Sequence, residues 1–277
     1  MRRDLTAFSS GAAIGTLGGL IGLGGAEFRL PLLIGVFRFA ALEAVVLNKA
    51  ISLVVVASAL IFRTKNVPYG TIALHWDVIM NLLAGSIAGA WVGAELATRL
   101  KSESLYKIIA VLLGGIALVL LFGHDIARNG HPLLSGAVLI GSGVMAGFTI
   151  GVFASFLGVA GGELLIPTIV LLYGADIKLA GSLSLAVSLP TMLTGFARYS
   201  KDSSFTVLGR NRKFLLVMAA GSFVGAFLGG ILLGVVPSKV LLPALSTVLA
   251  ASAIKVWHHG TVKPVVGYSC ERDQGLL

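Results

Sequence analysis

Apolar residues in this chain run in long blocks and do not alternate with polar ones. No Asp, Glu, Lys or Arg occurs between Asp4 and Glu27, Asp77 and Glu95, Lys107 and Asp125, or Lys213 and Lys239. The longest such stretch runs from Arg128 to Glu163. Blocks of this length predict helices that cross a bilayer, whose core of about 30 Å takes roughly 20 mostly apolar residues. The pattern predicts eight spans, at 6–36, 42–62, 75–97, 104–123, 133–173, 178–198, 213–235 and 239–257. The first and fifth are too long for one straight crossing. Each holds a glycine cluster followed by a proline, so each is expected to be a helix broken at Gly/Pro.

Those two segments are related. IGLGGAEFRLP aligns with LGVAGGELLIP: Gly22 with Gly158, Gly25 with Gly161, Glu27 with Glu163, and Pro31 with Pro167, each pair 136 residues apart. AGSIAGAWVGAEL aligns with AGSFVGAFLGGIL at the same spacing, from Ala84 with Ala220 to Leu96 with Leu232. A constant offset across two separate motifs marks an internal duplication. The expected division is a first repeat at 1–128, a second at 129–260 and a polar tail at 261–277. Four spans per half would make the repeats parallel, related by an axis along the membrane normal. The expected fold is therefore an all-α polytopic membrane protein of about eight helices in two parallel four-helix repeats.

Composition agrees. Of 277 residues, 56% are hydrophobic, 12% are charged and 36 are glycine; an ordinary soluble domain carries roughly 25% charged residues and roughly 7% glycine. A disordered chain and a soluble globule are both excluded. The net charge of +9 has a topological explanation, which removes nucleic acid as an expected partner. With eight spans, Arg2, Arg3, Arg63, Lys65, Arg128, Arg198, Lys201, Arg210, Arg212, Lys213, Lys255, Lys263 and Arg272 fall on one side, and Arg29, Arg38, Arg99, Lys101, Lys107, Lys178 and Lys239 on the other. The positive-inside rule then puts both termini in the cytoplasm and the chain in the plasma (cytoplasmic) membrane. The lone cysteine, Cys270, allows neither an intrachain disulfide nor a cysteine-rich metal site. No metal or cofactor is expected. HExxH and GxSxG are absent and no span holds a cysteine, so the chain is read as a non-enzyme without catalytic residues.

Gly85, Gly89 and Gly93, like Gly221, Gly225 and Gly229, repeat every fourth residue, the spacing that lets two membrane helices approach closely. The Gly22, Gly24, Gly25 and the Gly158, Gly161, Gly162 clusters differ. A helix broken inside a membrane exposes backbone groups, and its half-helix N-terminus can hold an anion. Glu27 and Glu163 follow these clusters, and carboxylates at membrane depth cost several kcal/mol. They are candidates for proton coupling; a structural pairing with Arg29, Lys49 or loop backbone is the alternative. Lys49, beside Asn48, either snorkels to the interface or contacts an anion. Ser182, Ser184 and Ser188 are candidate hydrogen-bonding groups for substrate, with a bond to their own helix backbone as the alternative. With Glu27 and Glu163 themselves, the candidate substrate-binding set is completed by Arg29, Pro31 and Pro167.

At these motifs the chain resembles the sulfite exporter TauE/SafE family, also called the 4-toluene sulfonate uptake permease family. The resemblance rests on GLIGLGGAEFRLPLL and FLGVAGGELLIPTIV, with LAGSLSLAV downstream, and extends over nearly the whole chain. It implies a secondary transporter of sulfite, a sulfonate or another organosulfur anion. The expected partners are that small anion and the lipid bilayer, and a homo-oligomer is compatible with the sequence. An anion channel and a nonenzymatic membrane assembly factor are the alternatives.

Overall fold

The computed structural model describes residues 2–21, 24–65, 67–122, 135–232 and 254. Every element among them is helical: α1 Arg2–Ile21, α2 Ala26–Gly35, α3 Ala41–Phe62, α4 Tyr69–Ala73, α5 Trp76–Arg99, α6 Ser102–Phe122, α7 Gly136–Leu157, α8 Gly162–Tyr173, α9 Ile177–Tyr199, α10 Thr206–Arg210 and α11 Arg212–Leu232. Five of these, α3, α5, α7, α9 and α11, are long and apolar enough to cross a membrane. The expected span at 239–257 and the tail at 261–277 lie outside the described residues, Ile254 excepted.

The breaks come at the glycines, not at the prolines. Gly24 and Gly25 have φ of 84° and 66°, and Gly158 and Gly161 have φ of 64° and 79°. That left-handed backbone is strained for any residue with a Cβ. Pro31 and Pro167 instead sit inside α2 and α8. The helices beyond the breaks are short, 10 and 12 residues.

The closest helix pairs join the two halves of the chain: α1 packs along α11, and α5 along α7. Glycine makes both contacts possible. A Cβ at Gly85, Gly89 or Gly93 would meet the carbonyls of Val144, Phe148 and Val152, and one at Gly221, Gly225 or Gly229 those of Phe8, Ala12 and Thr16. The two sets correspond residue for residue at the 136-residue offset, with the halves exchanged. Gly11 against Met218 and Gly147 against Leu82 repeat the match in the opposite sense. Helices with bare faces can lie backbone to backbone, which maximises dispersion where lipid supplies no hydrophobic drive.

Contacts at the helix ends correct the expected parallel arrangement. Arg3 lies over the Phe214 ring, Asp4 pairs with Lys213, and Glu43 pairs with Arg210, so α1, α3 and α11 all start at one end of the bundle. Arg63, at the far end of α3, bonds the Gly19 and Leu20 carbonyls near the end of α1 and the Lys178 carbonyl at the start of α9. Glu95 on α5 meets Arg198 on α9, and Ser86 meets Thr191, so these helices run together, away from the Arg63 end. Because α7 runs with α5, helix α7 points opposite to α1, its sequence equivalent.

The physical reason lies in α2. A Cβ at Gly25 would stand 2.6 Å from the Ile14 carbonyl oxygen, so the chain doubles back beside the middle of α1. Helix α2 then returns to the end where α1 began, where Phe37 and Phe39 pack on Phe214. What reads as one kinked span is a full-length helix plus a returning half-helix. That extra pass changes the parity of the first half. It also regroups the basic residues. Arg38, Arg99 and Lys101 join Arg3, Arg198, Arg210 and Lys213 at one end, while Arg63 and Lys178 lie at the other.

Candidate functional site

The two breaks meet in the interior. A Cβ at Gly24 would touch the Ala160 Cβ at 3.5 Å, and these positions are themselves 136 residues apart. Asn48 on α3 ties the breaks together. Its Nδ2 donates to the Ala26 carbonyl at 2.9 Å, at the start of α2, and to the Leu157 carbonyl at 3.1 Å, at the end of α7. Ser188 donates to the Ala160 carbonyl at 2.7 Å. These side chains satisfy backbone groups that the helix breaks release. Replacing Asn48 by Leu strands the Leu157 carbonyl at the end of α7, at about 1–3 kcal/mol, and removes a second bond to the Ala26 carbonyl. Asn48→Leu is therefore expected to lower the Tm of the detergent-solubilised protein by several degrees, measured by tryptophan fluorescence.

Arg29, one turn into α2, is completely buried. Its Nη1 donates to Ser52 Oγ at 2.9 Å and approaches Asn48 Oδ1 at 3.4 Å, and Nη2 reaches Ser222 Oγ at 3.4 Å. Its Nε has no hydrogen-bond partner in the protein. Glu27, equally buried, lies in the first turn of α2, where the partial positive charge of the helix N-terminus favours a carboxylate. It also attracts the Arg29 guanidinium electrostatically. A fully buried guanidinium surrounded by hydroxyl and amide groups is a ready partner for an oxyanion, which accepts two parallel N–H bonds from it.

The remaining candidates divide by position. Lys49 does not snorkel: it is 1% exposed, with Nζ 3.4 Å from Ser155 Oγ and 5.5 Å from the Tyr199 ring centroid. Its Nζ lies toward the ends of α7 and α9. Ser182 accepts from Arg63 Nε at 3.3 Å and bonds the Lys178 carbonyl. Ser184 is buried and donates to the Gly181 carbonyl at 2.9 Å. Gly161 and Gly162 start α8, and Gly158 ends α7. Gly22 and the Glu163 side chain lie outside the described residues.

Several residues at this centre were not singled out in the sequence. Ser52 is one helical turn from Asn48 on the same face of α3, a spacing that could have pointed to it. Ser155 donates to the Ala90 carbonyl at 2.8 Å, and Ser222 lies on the glycine face of α11. Arg63 reads as a loop charge, yet it is 1% exposed. Its equivalent, Tyr199, donates to the Ser155 carbonyl at 2.8 Å, just as Arg63 donates to Gly19. Among the described residues, no cluster of three or more His, Cys, Asp or Glu could hold a metal.

Apolar helices of membrane-crossing length, around a buried cationic centre where two helix breaks meet, define a polytopic membrane protein with a polar interior. Within that class the particular family is clear. The chain belongs to the Sulfite exporter TauE/SafE family, whose model matches residues 7–256, a stretch that includes both breaks. It is an integral membrane protein. No curated protein and no solved structure matches it.

Proposed function

We propose that this chain is a secondary transporter of a small sulfur oxyanion, sulfite or a sulfonate, across the plasma membrane. The family supports the substrate class. The observation that carries the reading is the buried Arg29 guanidinium beside the paired breaks, among Asn48, Ser52 and Ser222. A buried cation is costly unless paired, and a transported anion is such a partner. Lys49, Ser182 and Ser184 extend the polar path toward the two ends of the bundle. The sequence repeats 1–128 and 129–260 are units of duplication related by a two-fold axis in the membrane plane, as inverted repeats are. The packing units are the exchanged pairs α1 with α11 and α5 with α7, and alternating access is a movement of these pairs about the centre. The basic end, with the N-terminus, faces the cytoplasm. The chain works without cofactor and catalyses no covalent step.

Coupling runs through Glu27 and Glu163. A carboxylate near a guanidinium and a bound anion makes two negative charges around one positive charge. Protonating the carboxylate restores the balance, so anion and proton move together. Purified protein in liposomes is expected to take up labelled sulfite or methanesulfonate when an inward proton gradient is imposed. Glu27→Gln and Glu163→Gln should each reduce the gradient-driven uptake at least tenfold while retaining counterflow. Unimpaired gradient-driven uptake in both variants would refute the coupling. Large unitary currents would replace the transporter with a channel, and no flux of any sulfur anion would sink the function.

A further inference from the structure

The two breaks are equivalent in sequence and in backbone, but their chemistry differs. Position 165, equivalent to Arg29, is leucine; position 185, equivalent to Lys49, is leucine; position 199, equivalent to Arg63, is tyrosine. Among the described residues, every buried cation (Arg29, Lys49 and Arg63) therefore belongs to the first half. Leu165 and Leu185 are each 1% exposed and belong to apolar clusters. The hydroxyl partners are also used differently. Ser52 accepts from Arg29 and leaves the guanidinium as the donor, whereas its equivalent, Ser188, spends its proton on the Ala160 carbonyl. The first break has a buried guanidinium whose Nε lacks a protein partner; the second has a hydrocarbon in its place.

We infer that the chain holds one oxyanion, off the two-fold axis, at the first break alone, with Arg29 Nε and an Nη group as its principal donors and Ser52 and Ser222 beside them. The inference rests on the proposed transport of a sulfur oxyanion and deepens it. A transporter built from two similar halves thus has a single site in place of two symmetric ones. The second break supplies shape and the turn of the chain but, among the described residues, no buried cation. Arg29 would then discriminate oxyanions from halides, because three oxygens on one atom fit the planar fork of a guanidinium and a spherical ion does not.

The test is calorimetric titration of the full chain in detergent with sodium sulfite, methanesulfonate and chloride. The expected result is one sulfite or methanesulfonate site per chain and at least tenfold weaker chloride binding. Arg29→Leu should abolish binding, and Arg29→Lys, which keeps the charge, should weaken it about tenfold. Ser52→Ala should weaken it severalfold, whereas the equivalent Ser188→Ala should change it less than twofold. Each variant is compared as the monodisperse fraction from size exclusion, so the milder Ser52→Ala and Ser188→Ala pair decides the matter if Arg29→Leu does not fold. Two sites per chain, or equal losses in Ser52→Ala and Ser188→Ala, would overturn the single-site inference and leave the transport reading standing. A wild-type chain that binds neither sulfur anion overturns both.

Discussion

Gly225→Ala and Gly89→Ala are each expected to lower the Tm of the detergent-solubilised protein by roughly 10 °C, the equivalent of about 3 kcal/mol. The added methyl groups would fall on the carbonyls of Ala12 and Phe148. Both obstacles are helix backbone, which has no rotamer through which to give way. Helices α1 and α11, or α5 and α7, must separate along their length, and the flanking glycine contacts loosen with them. Because the contacts are related by the 136-residue repeat, the two variants should lose similar amounts. Gly141→Ala is the control. It lies on α7 with nothing within 4 Å of its added methyl, so the better helix propensity of alanine leaves stability equal or higher by up to about 1 kcal/mol. Equal melting temperatures for all three variants would show that the pairs are not held backbone to backbone.

Arg63→Met is expected to cost about 3 kcal/mol and to cut sulfite uptake in liposomes at least tenfold. Methionine nearly fills the volume but gives no donors, so Ser182 Oγ and the carbonyls of Gly19, Leu20 and Lys178 each lose a charged donor, and the Lys178 carbonyl keeps only its bond from Ser182. Two of those carbonyls lie in the last turn of α1, where partial negative charge collects and a guanidinium is most favourable. The guanidinium thus fixes the end of the helix that leads into the first break and joins it to the start of α9. Tyr199→Phe removes the equivalent bond at the other end of the molecule, and it should cost only about 1 kcal/mol because a neutral hydroxyl is lost. Arg63→Lys keeps the charge but reaches fewer acceptors and should fall between the two. If Arg63→Met melts no lower than Tyr199→Phe, charge at the end of α1 contributes nothing.

The long apolar blocks made the helices legible, and the observed boundaries of α3, α5, α6, α9 and α11 fall close to those expected. Glycine spacing made the close pairings legible as faces, though not which helix each face would meet. Position along the chain says nothing of exchange between halves, and α1 finds α11 only because their bare stripes match in three dimensions. The candidate residues were likewise half legible. Lys49, with Asn48 beside it, stood out as a charge inside an apolar span, whereas Arg29 was legible only as a partner for Glu27 and otherwise reads as a loop charge. Ser52, Ser155 and Ser222 did not, because a serine is unremarkable in a membrane helix until something buried points at it. Arg63 was hidden by its position at the end of an apolar run, where a basic residue is ordinarily a solvated flank.

By itself, then, the sequence determined a helical membrane chain, a duplication at constant offset, two breaks and a scarcity of charge that singles out a few residues. Only the tertiary structure decided direction. Hydropathy counts apolar residues without regard to which way they run, so a ten-residue half-helix that doubles back reads the same as one that carries on. That return after Gly25 adds a pass to the first half and sets α7 against α1. It also brings Gly24 to Ala160 at the centre, with Arg29 beside them.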